Sequence, residues 1–217
     1  GNGKVLATGG QNGLVSFANA DLYDPATNSW APTTPMPAVR STHTQTTLKD
    51  GRALVANGNT ATAIVYDPQS ASWTPTGAMG GSRGHSAALR LANDTVLVVG
   101  GSSLASAEIY EPASNDWKPT GAMSTARMFH RLTLLPDGRV LVTGGIGSLG
   151  GAAKATAEIY DPAVALWSAA PSMLAARQEH TATLLKNGTV LVAGGQNLAS
   201  TEIYDPASNS WAAGASM

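Results

Sequence analysis

The segment Glu202–Trp211, EIYDPASNSW, decides the fold because its elements recur along the whole chain of 217 residues. A Tyr-Asp/Glu-Pro triplet occurs five times, and its tyrosines are spaced by 43, 44, 50 and 44 residues. Each tyrosine is followed seven residues later by a tryptophan, and each tryptophan six residues later by a methionine. The five sets are Tyr23-Trp30-Met36, Tyr66-Trp73-Met79, Tyr110-Trp117-Met123, Tyr160-Trp167-Met173 and Tyr204-Trp211-Met217. This constant period indicates an array of similar structural units.

Each repeat contains four short strand signals, which we name A to D in chain order. Tight-turn dipeptides such as Asp137-Gly138 and Asn187-Gly188 join A to B, and proline-containing turns join C to D. This order predicts a four-stranded antiparallel meander. Strand B, for example Val96–Val99, is apolar at successive residues and therefore needs cover on both faces of its sheet. Strand A is rich in Thr, Ala and Ser, as expected where sheets converge on an axis.

Strand B ends in a glycine pair in four repeats and in Asn57-Gly58 in the second. With the Tyr-Asp-Pro triplet and the tryptophan, this pattern resembles the kelch repeat, and the resemblance covers essentially the whole chain. It implies an all-β fold, a β-propeller similar to the central domain of galactose oxidase, with one four-stranded antiparallel blade per repeat. Strand A would be innermost and strand D outermost. We expect about five blades, at residues 1–36, 37–79, 80–123, 124–173 and 174–217 of one propeller domain, 1–217.

The first blade should lack its innermost strand, because the sequence opens within strand B of the first repeat. Three interpretations remain open: a piece of a larger ring, a five-bladed ring with one three-stranded blade, or a ring completed between chains. An unpaired strand edge would favour association.

Two glycine-containing sites give further expectations. The stretch VLVTGGIGSLGG, Val140–Gly151, contains the Gly-x-Gly-x-x-Gly spacing of a dinucleotide-binding loop. That loop requires a helix next, whereas the chain runs into strand C, so we interpret the glycines as part of a long B–C loop. At the first glycine position, Asn57 should have a positive φ, since asparagine tolerates the left-handed region best after glycine.

Composition excludes several classes of function. Only 12 % of the residues are charged, against roughly a quarter in ordinary domains, and the formal net charge is −1. With no basic cluster, we expect no nucleic-acid partner. No apolar stretch is long enough to span a membrane. The absence of cysteine excludes disulfides and thiolate sites. Low charge and a Thr/Asn-rich texture favour an extracellular or cell-surface bacterial protein.

Departures from the repeat point to a binding rim. In a meander the B–C and D–A loops share one rim, and the two longest lie at Gln11–Leu22 and Ile146–Ile159. Loops of this kind often bind partners. We therefore predict a rim that binds protein or glycan, with four repeated arginines as either loop braces or ligand contacts. The candidate binding residues are Phe17, Arg40, Arg83, Arg127, Phe129, Arg177 and Glu179.

Four histidines, His43, His85, His130 and His180, follow these arginines at what we take to be equivalent places. They either hydrogen-bond the adjacent blade or form a metal ring at the axis. We favour the first interpretation and predict no metal and no cofactor, because Glu179 is the one nearby carboxylate in sequence. The recurring Tyr, Trp and Met are interpreted as packing between blades.

The leading hypothesis is a non-catalytic recognition module. The alternative is a propeller enzyme acting on sugars, oxidase-like or isomerase-like. The resemblance implies that oxidases of this kind use a Tyr crosslinked to Cys, with further Tyr and His copper ligands. This chain has no Cys, which disfavours that cofactor. An isomerase would need a carboxylate and an arginine near the axis, for which Arg177 and Glu179 are the candidate pair. A third interpretation is a purely architectural spacer.

Overall fold

The computed structural model describes residues 3–58 and 60–217, which form twenty-one β-strands and no helix. The first repeat contains β1 (Val5–Thr8), β2 (Gln11–Asn12), β3 (Val15–Ser16), β4 (Ala20–Asp24) and β5 (Ser29–Pro32). The second contains β6 (His43–Thr47), β7 (Ala53–Asn57), β8 (Ala63–Asp67) and β9 (Ser72–Pro75). The third contains β10 (Ala87–Arg90), β11 (Val96–Val99), β12 (Ala107–Glu111) and β13 (Asp116–Thr120).

The fourth repeat contains β14 (Arg131–Leu134), β15 (Val140–Thr143), β16 (Ala157–Asp161) and β17 (Leu166–Ala170). The fifth contains β18 (Thr181–Leu184), β19 (Val190–Ala193), β20 (Thr201–Asp205) and β21 (Ser210–Ala213). Each of repeats two to five is one four-stranded antiparallel sheet in sequential order, as the meander predicts. The first sheet has three strands in the order β1-β4-β5. The predicted all-β blade architecture is confirmed, including the missing innermost strand.

The innermost strands of consecutive blades contact one another in the order β6, β10, β14, β18. The sheets stack face to face, so that neighbouring sheets cover both faces of strand B, as its apolar sequence requires. Leu54 and Ala56 of the second blade pack against Val96 and Val98 of the third. The residues that alternate with them in β11, Leu97 and Val99, pack instead towards the fourth blade. Every blade core is therefore shared with its neighbours, as expected for repeats that cannot exclude water alone.

The tyrosine and tryptophan of each repeat form an aromatic pair on one sheet face, with ring centroids 4.9–5.2 Å apart. Trp117 is 7 % exposed and packs in the cluster between the second and third blades. Its indole N–H donates to Thr76 Oγ1 of the preceding blade at 3.0 Å. The predicted packing role of the aromatic residues between blades is confirmed at this interface.

The glycine pairs meet the geometry expected for the end of strand B. Asn57 has φ +68°, as predicted. Gly100, at the same place in the third blade, has φ +63°, and a Cβ there would lie 2.5 Å from the carbonyl oxygen of Arg127. After Gly145 the chain forms an isolated bridge at Ile146 and then reaches strand β16 without a helix. The dinucleotide-loop interpretation is thereby excluded. None of the described residues forms a helix that could span a membrane.

Candidate functional site

One rim of the propeller is formed by the loops that connect strands B to C and strands D to A; we call it the B–C/D–A rim. Its B–C loops are residues 9–19, 58 with 60–62, 100–106, 144–156 and 194–200, and its D–A segments are residues 33–42, 76–86, 121–130 and 171–180. All seven predicted binding residues lie on this rim.

The four predicted arginines are buried behind the rim, each at most 3 % exposed. Arg127 donates to the carbonyl oxygens of Gly144 and Thr156 at 2.8 and 2.9 Å, and to Thr156 Oγ1 at 2.9 Å. Arg40, Arg83 and Arg177 make the same contacts, each with the B–C loop that comes next in the chain. Each guanidinium therefore ties a D–A segment to the B–C loop of the next blade. This placement favours the brace interpretation over ligand capture.

Three buried glutamates complete these braces, and the sequence analysis did not single them out. Glu108, Glu158 and Glu202 bind Arg83, Arg127 and Arg177 with N–O distances of 2.8, 3.0 and 2.6 Å. Each carboxylate also accepts a backbone N–H at the start of the D–A segment, as Glu158 does from Ser124 at 2.8 Å. Arg177, one member of the candidate pair for an isomerase, is thus bound to Glu202. The available signal was the charged residue in the Ala-Glu-Ile-Tyr motif of an otherwise buried strand.

The second blade replaces this arrangement consistently. Ile64 occupies the register position of the glutamate and packs with Met36 and Val55. Pro37, which has no N–H to donate, stands where Ser124 does in the third segment. Arg40 thus has no carboxylate partner among the described residues, and burial lowers its pKa. For Arg127, burial also lowers the pKa, while the hydrogen bond that it donates to Glu158 opposes the shift.

The histidines hold neighbouring blades together in two cases. His43 Nε2 lies 3.0 Å from Thr8 Oγ1, and His180 Nε2 lies 2.8 Å from Thr143 Oγ1. His130 lies at the same place in the fourth blade, facing Val99, which has no hydroxyl. Burial first, and neighbouring arginines second, lower the pKa of His130 to about 3. Burial and then Arg131 lower the pKa of His180 to about 3.

His85 corrects the assumption of four equivalent histidines. It lies one position earlier, with Ser86 at the place of the others. It belongs to a second set, Thr42, His85, Phe129 and Glu179, which all have φ between +55° and +60°. The N–H of each later member donates to the carbonyl of the preceding one, at 3.1, 3.2 and 3.0 Å in blade order. The described residues contain no group of three or more His, Cys, Asp or Glu side chains placed to hold a metal.

This row of backbone hydrogen bonds runs along the inner edge of the rim and includes two predicted binding residues, Phe129 and Glu179. The rings of His85 and Phe129 stack with centroids 4.1 Å apart and an angle of 36°. Glu179, next around the axis, is exposed. Burial lowers the pKa of His85, and the charge of Glu179 acts in the opposite direction. The axial mouth is thus an aromatic pair beside a free carboxylate.

Both long B–C loops reach this mouth. In the first blade, β2 and β3 form a small hairpin, and Phe17 bridges to Arg40. In the fourth blade, Ile146 bridges to Met128. A cavity of about 410 Å³ at the mouth is lined by Gln11 from the first loop, Leu149 from the second, and His85. The prediction that the two loops rise from one rim is confirmed.

The B–C/D–A rim differs chemically from the opposite rim. Among its described residues, Lys154 and Glu179 are the only charged side chains that are not buried. The A–B hairpins on the other side carry more charged side chains that are not buried: Lys49, Asp50, Arg52, Asp94, Asp137, Arg139 and Lys186. The exposed large apolar residues of the rim are Leu14, Val15, Phe17, Val39, Leu149 and Leu174. The rim therefore combines exposed apolar side chains with very little charge.

Comparisons with known proteins agree with this architecture. The fold defines the class first: a row of antiparallel, four-stranded propeller blades. The sequence then identifies the repeat, because residues 1–37 match the family model of the Kelch motif. The first repeat therefore matches the Kelch motif, and the later repeats share its Tyr, Trp and Met spacing. No curated protein matches the sequence.

Among solved structures, the chain is similar to a novel fungal alcohol oxidase with catalytic diversity among the AA5 family, in complex with copper. The two share 17 % identity at a TM-score of 0.62, and the match covers 100 % of this chain and 63 % of that one. This chain thus spans less than two thirds of that structure, and the likeness concerns the fold. The described residues do not fit a copper site, because their histidines and carboxylates do not cluster and cysteine is absent.

Proposed function

We propose that this chain is a recognition module whose B–C/D–A rim binds a protein partner. The observation that supports this proposal is the chemical contrast between the two rims. The cores of protein interfaces are depleted in charged residues and enriched in aromatic and other large apolar side chains. The B–C/D–A rim has this composition, whereas the opposite rim is lined by charged hairpins.

The two long loops strengthen the proposal. Leu14, at the tip of the β2–β3 hairpin, is fully exposed, and Leu149 is 71 % exposed. Nothing in the hairpin requires a leucine at its tip, where a polar residue would be solvated better. The loops stand on a rigid scaffold that arginine braces fix from below, which is the usual arrangement of a recognition surface. The same rim is the predicted site for a glycan, and the experiment below separates the two ligands.

The proposal is tested by probing an array of purified extracellular proteins and a glycan array with the labelled chain. Hits are then retested with Leu14→Asp/Leu149→Asp and with the control Val164→Asp/Leu166→Asp. The control residues are 61 % and 63 % exposed but lie on the opposite rim. We expect protein hits that the first variant loses and the control retains. Hits confined to glycans, or protein hits that survive the first variant, would contradict the proposal.

A further inference from the structure

A groove crosses the B–C/D–A rim between the second and third blades. Its outer part is a cavity of about 760 Å³ whose lining includes Met79, Gly81, Leu104 and Trp117. This cavity shares Ser82 and Ser102 with the axial cavity of about 410 Å³. The two form one continuous groove that runs from Trp117 to His85. Each of the two cavities has a volume in the range of ligand sites.

Two glycines keep the groove open, and the backbone does not require them. Gly80 and Gly81 do not have positive φ. A Cβ on Gly81 would meet nothing within 4 Å, and one on Gly80 would make ordinary contacts at 3.5 Å and beyond with Glu108. The corresponding pairs after the other blades are Pro37-Ala38, Ser124-Thr125 and Leu174-Ala175. The missing side chains are thus a feature of this one junction, and their effect is an unfilled groove.

The polar wall of the groove offers hydrogen-bond donors without net charge. Ser102 Oγ accepts the Gly84 N–H at 2.8 Å, and Ser106 Oγ accepts from Arg83 at 2.9 Å. Among the described residues neither hydroxyl donates its own hydrogen, so both donors are free for an acceptor in the groove. The charges of Arg83 and Glu108 neutralise each other behind this wall.

The apolar wall suits a flexible side chain better than a sugar ring. Met79 is buried, Leu104 is half-buried, and Trp117 presents little of its surface because its ring packs against the second blade. A saccharide is bound mainly through an open aromatic face and planar amide or carboxylate groups, and the groove's outer part has neither free. A methionine and a leucine instead adapt readily to an aliphatic side chain.

We infer that this groove binds an extended, uncharged peptide segment of the protein partner. This inference rests on the proposed function and specifies how the partner is held. One apolar side chain of the segment enters between Met79, Leu104 and Trp117. Its main-chain carbonyl oxygens accept hydrogen bonds from Ser102 and Ser106. The segment continues towards the axis and the His85–Phe129 pair.

The test is selection of a phage-displayed library of random short peptides on the full chain, followed by affinity measurement on three variants. Gly81→Leu fills the groove, Gly81→Ala narrows it, and Ala175→Leu is the control at the equivalent position after the fourth blade. We expect uncharged peptides with a large apolar residue, whose affinity falls about tenfold or more in Gly81→Leu and little in the control.

Gly81→Ala guards against misfolding as the cause of lost binding. Because alanine restricts the unfolded chain, this variant should melt at the same temperature as the parent or higher, while it binds the peptides more weakly. Failure to enrich any peptide, equal binding to parent and Gly81→Leu, or a glycan as the only ligand lost in Gly81→Leu would overturn the inference. If Leu14→Asp/Leu149→Asp loses a protein partner that Gly81→Leu still binds, the groove assignment fails and the proposed function stands.

Discussion

At the scale of single residues, Val99 stands where the first and fourth blades have a threonine. Thr8 and Thr143 present a hydroxyl to the histidine of the next blade, and His130 meets a valine at that place. Both ring nitrogens of His130 are buried, and no side chain of the described residues forms a hydrogen bond with either of them. A buried polar group without a partner destabilises the folded state.

Val99→Thr should therefore stabilise the protein, since threonine has nearly the shape of valine and supplies the missing hydroxyl. We expect the free energy of unfolding to rise by about 0.5–1.5 kcal/mol, as measured by urea denaturation. Val98→Thr is the matched control, because Val98 faces the apolar cluster shared with the second blade. The control should lose stability. Equal losses in both variants would contradict the hydrogen-bond assignment.

The same histidines predict a dependence of stability on pH. His130 and His180 have folded-state pKa values of about 3, below the ordinary 6.5, so the unfolded chain binds more protons between these values. Their contribution is complete above pH 6.5 and is lost as the pH falls towards 3. Protonation of each histidine should lower the free energy of unfolding by at most about 1.4 kcal/mol for each pH unit of acidification in that window.

The measurement is urea denaturation at several pH values between 7 and 5, with His180→Gln as the comparison. The variant keeps a hydrogen-bonding group beside Thr143 but cannot gain a proton, so its stability should vary less with pH. Carboxylates add little in this range, since ordinary aspartates titrate near pH 4. Identical slopes for parent and variant would show that His180 does not contribute.

At the scale of elements, strand C anchors three of the four D–A segments through a buried glutamate. Glu158→Gln should cost about 3–5 kcal/mol in unfolding free energy, because it leaves Arg127 charged and buried without a counter-ion. Glu111→Gln is the control, since its salt bridge with Lys118 is largely exposed and worth about 1 kcal/mol or less. Thermal melts of both variants measure the two losses of stability. A loss for Glu158→Gln no greater than for the control would argue against the brace.

The aromatic pair between blades gives the next prediction. Trp117→Ala should cost about 3–5 kcal/mol, because it opens a cavity between the second and third blades. Trp30 forms the same pair with Tyr23 but is 57 % exposed, and no indole hydrogen bond is seen for it among the described residues. Trp30→Ala should cost much less. An unchanged melting temperature for Trp117→Ala would contradict a packing role.

Much of this element structure was predictable from the sequence, because strand and turn signals act locally and repeat. Tyr160 and Trp167 pair across adjacent strands, for example, in the register that their spacing implies. The glutamate braces were not predicted, since Arg127 lies in a D–A segment and Glu158 on a strand C that follows 31 residues later. The β2–β3 hairpin was also missed, although the glycine of its Gly13-Leu14 turn was visible in the sequence. His85 was misplaced because one residue of spacing separates two structurally distinct sets.

The candidate site was less predictable, for a physical reason. Phe17, Phe129 and Glu179 stand on the rim as expected, but whether a rim arginine faces solvent depends on the loops that cover it. All four are covered. Gly80 and Gly81 were visible in the sequence, yet a groove arises only when neighbouring blades bring Leu104 and Trp117 beside them.

At the scale of the whole molecule, the two rims differ in the number of charged side chains that they present, and the outer face of the first blade is open. Val5 and Trp30 are more than half exposed on that face, where other blades carry a neighbour. We predicted that the unpaired strand edge of this blade favours association, and this expectation still stands as a prediction. Comparing the mass in solution of the parent with that of Val5→Lys would test it. A lower mass for the variant is expected, and equal masses would argue against association through this face.

The most direct test of the proposed rim is hydrogen exchange of the chain with and without the protein partner that the array identifies. Our account predicts slower exchange in the β2–β3 hairpin, in residues 146–154 and in residues 79–84, with the A–B hairpins unchanged. Slower exchange confined to the A–B hairpins, or to the open face of the first blade, would contradict it.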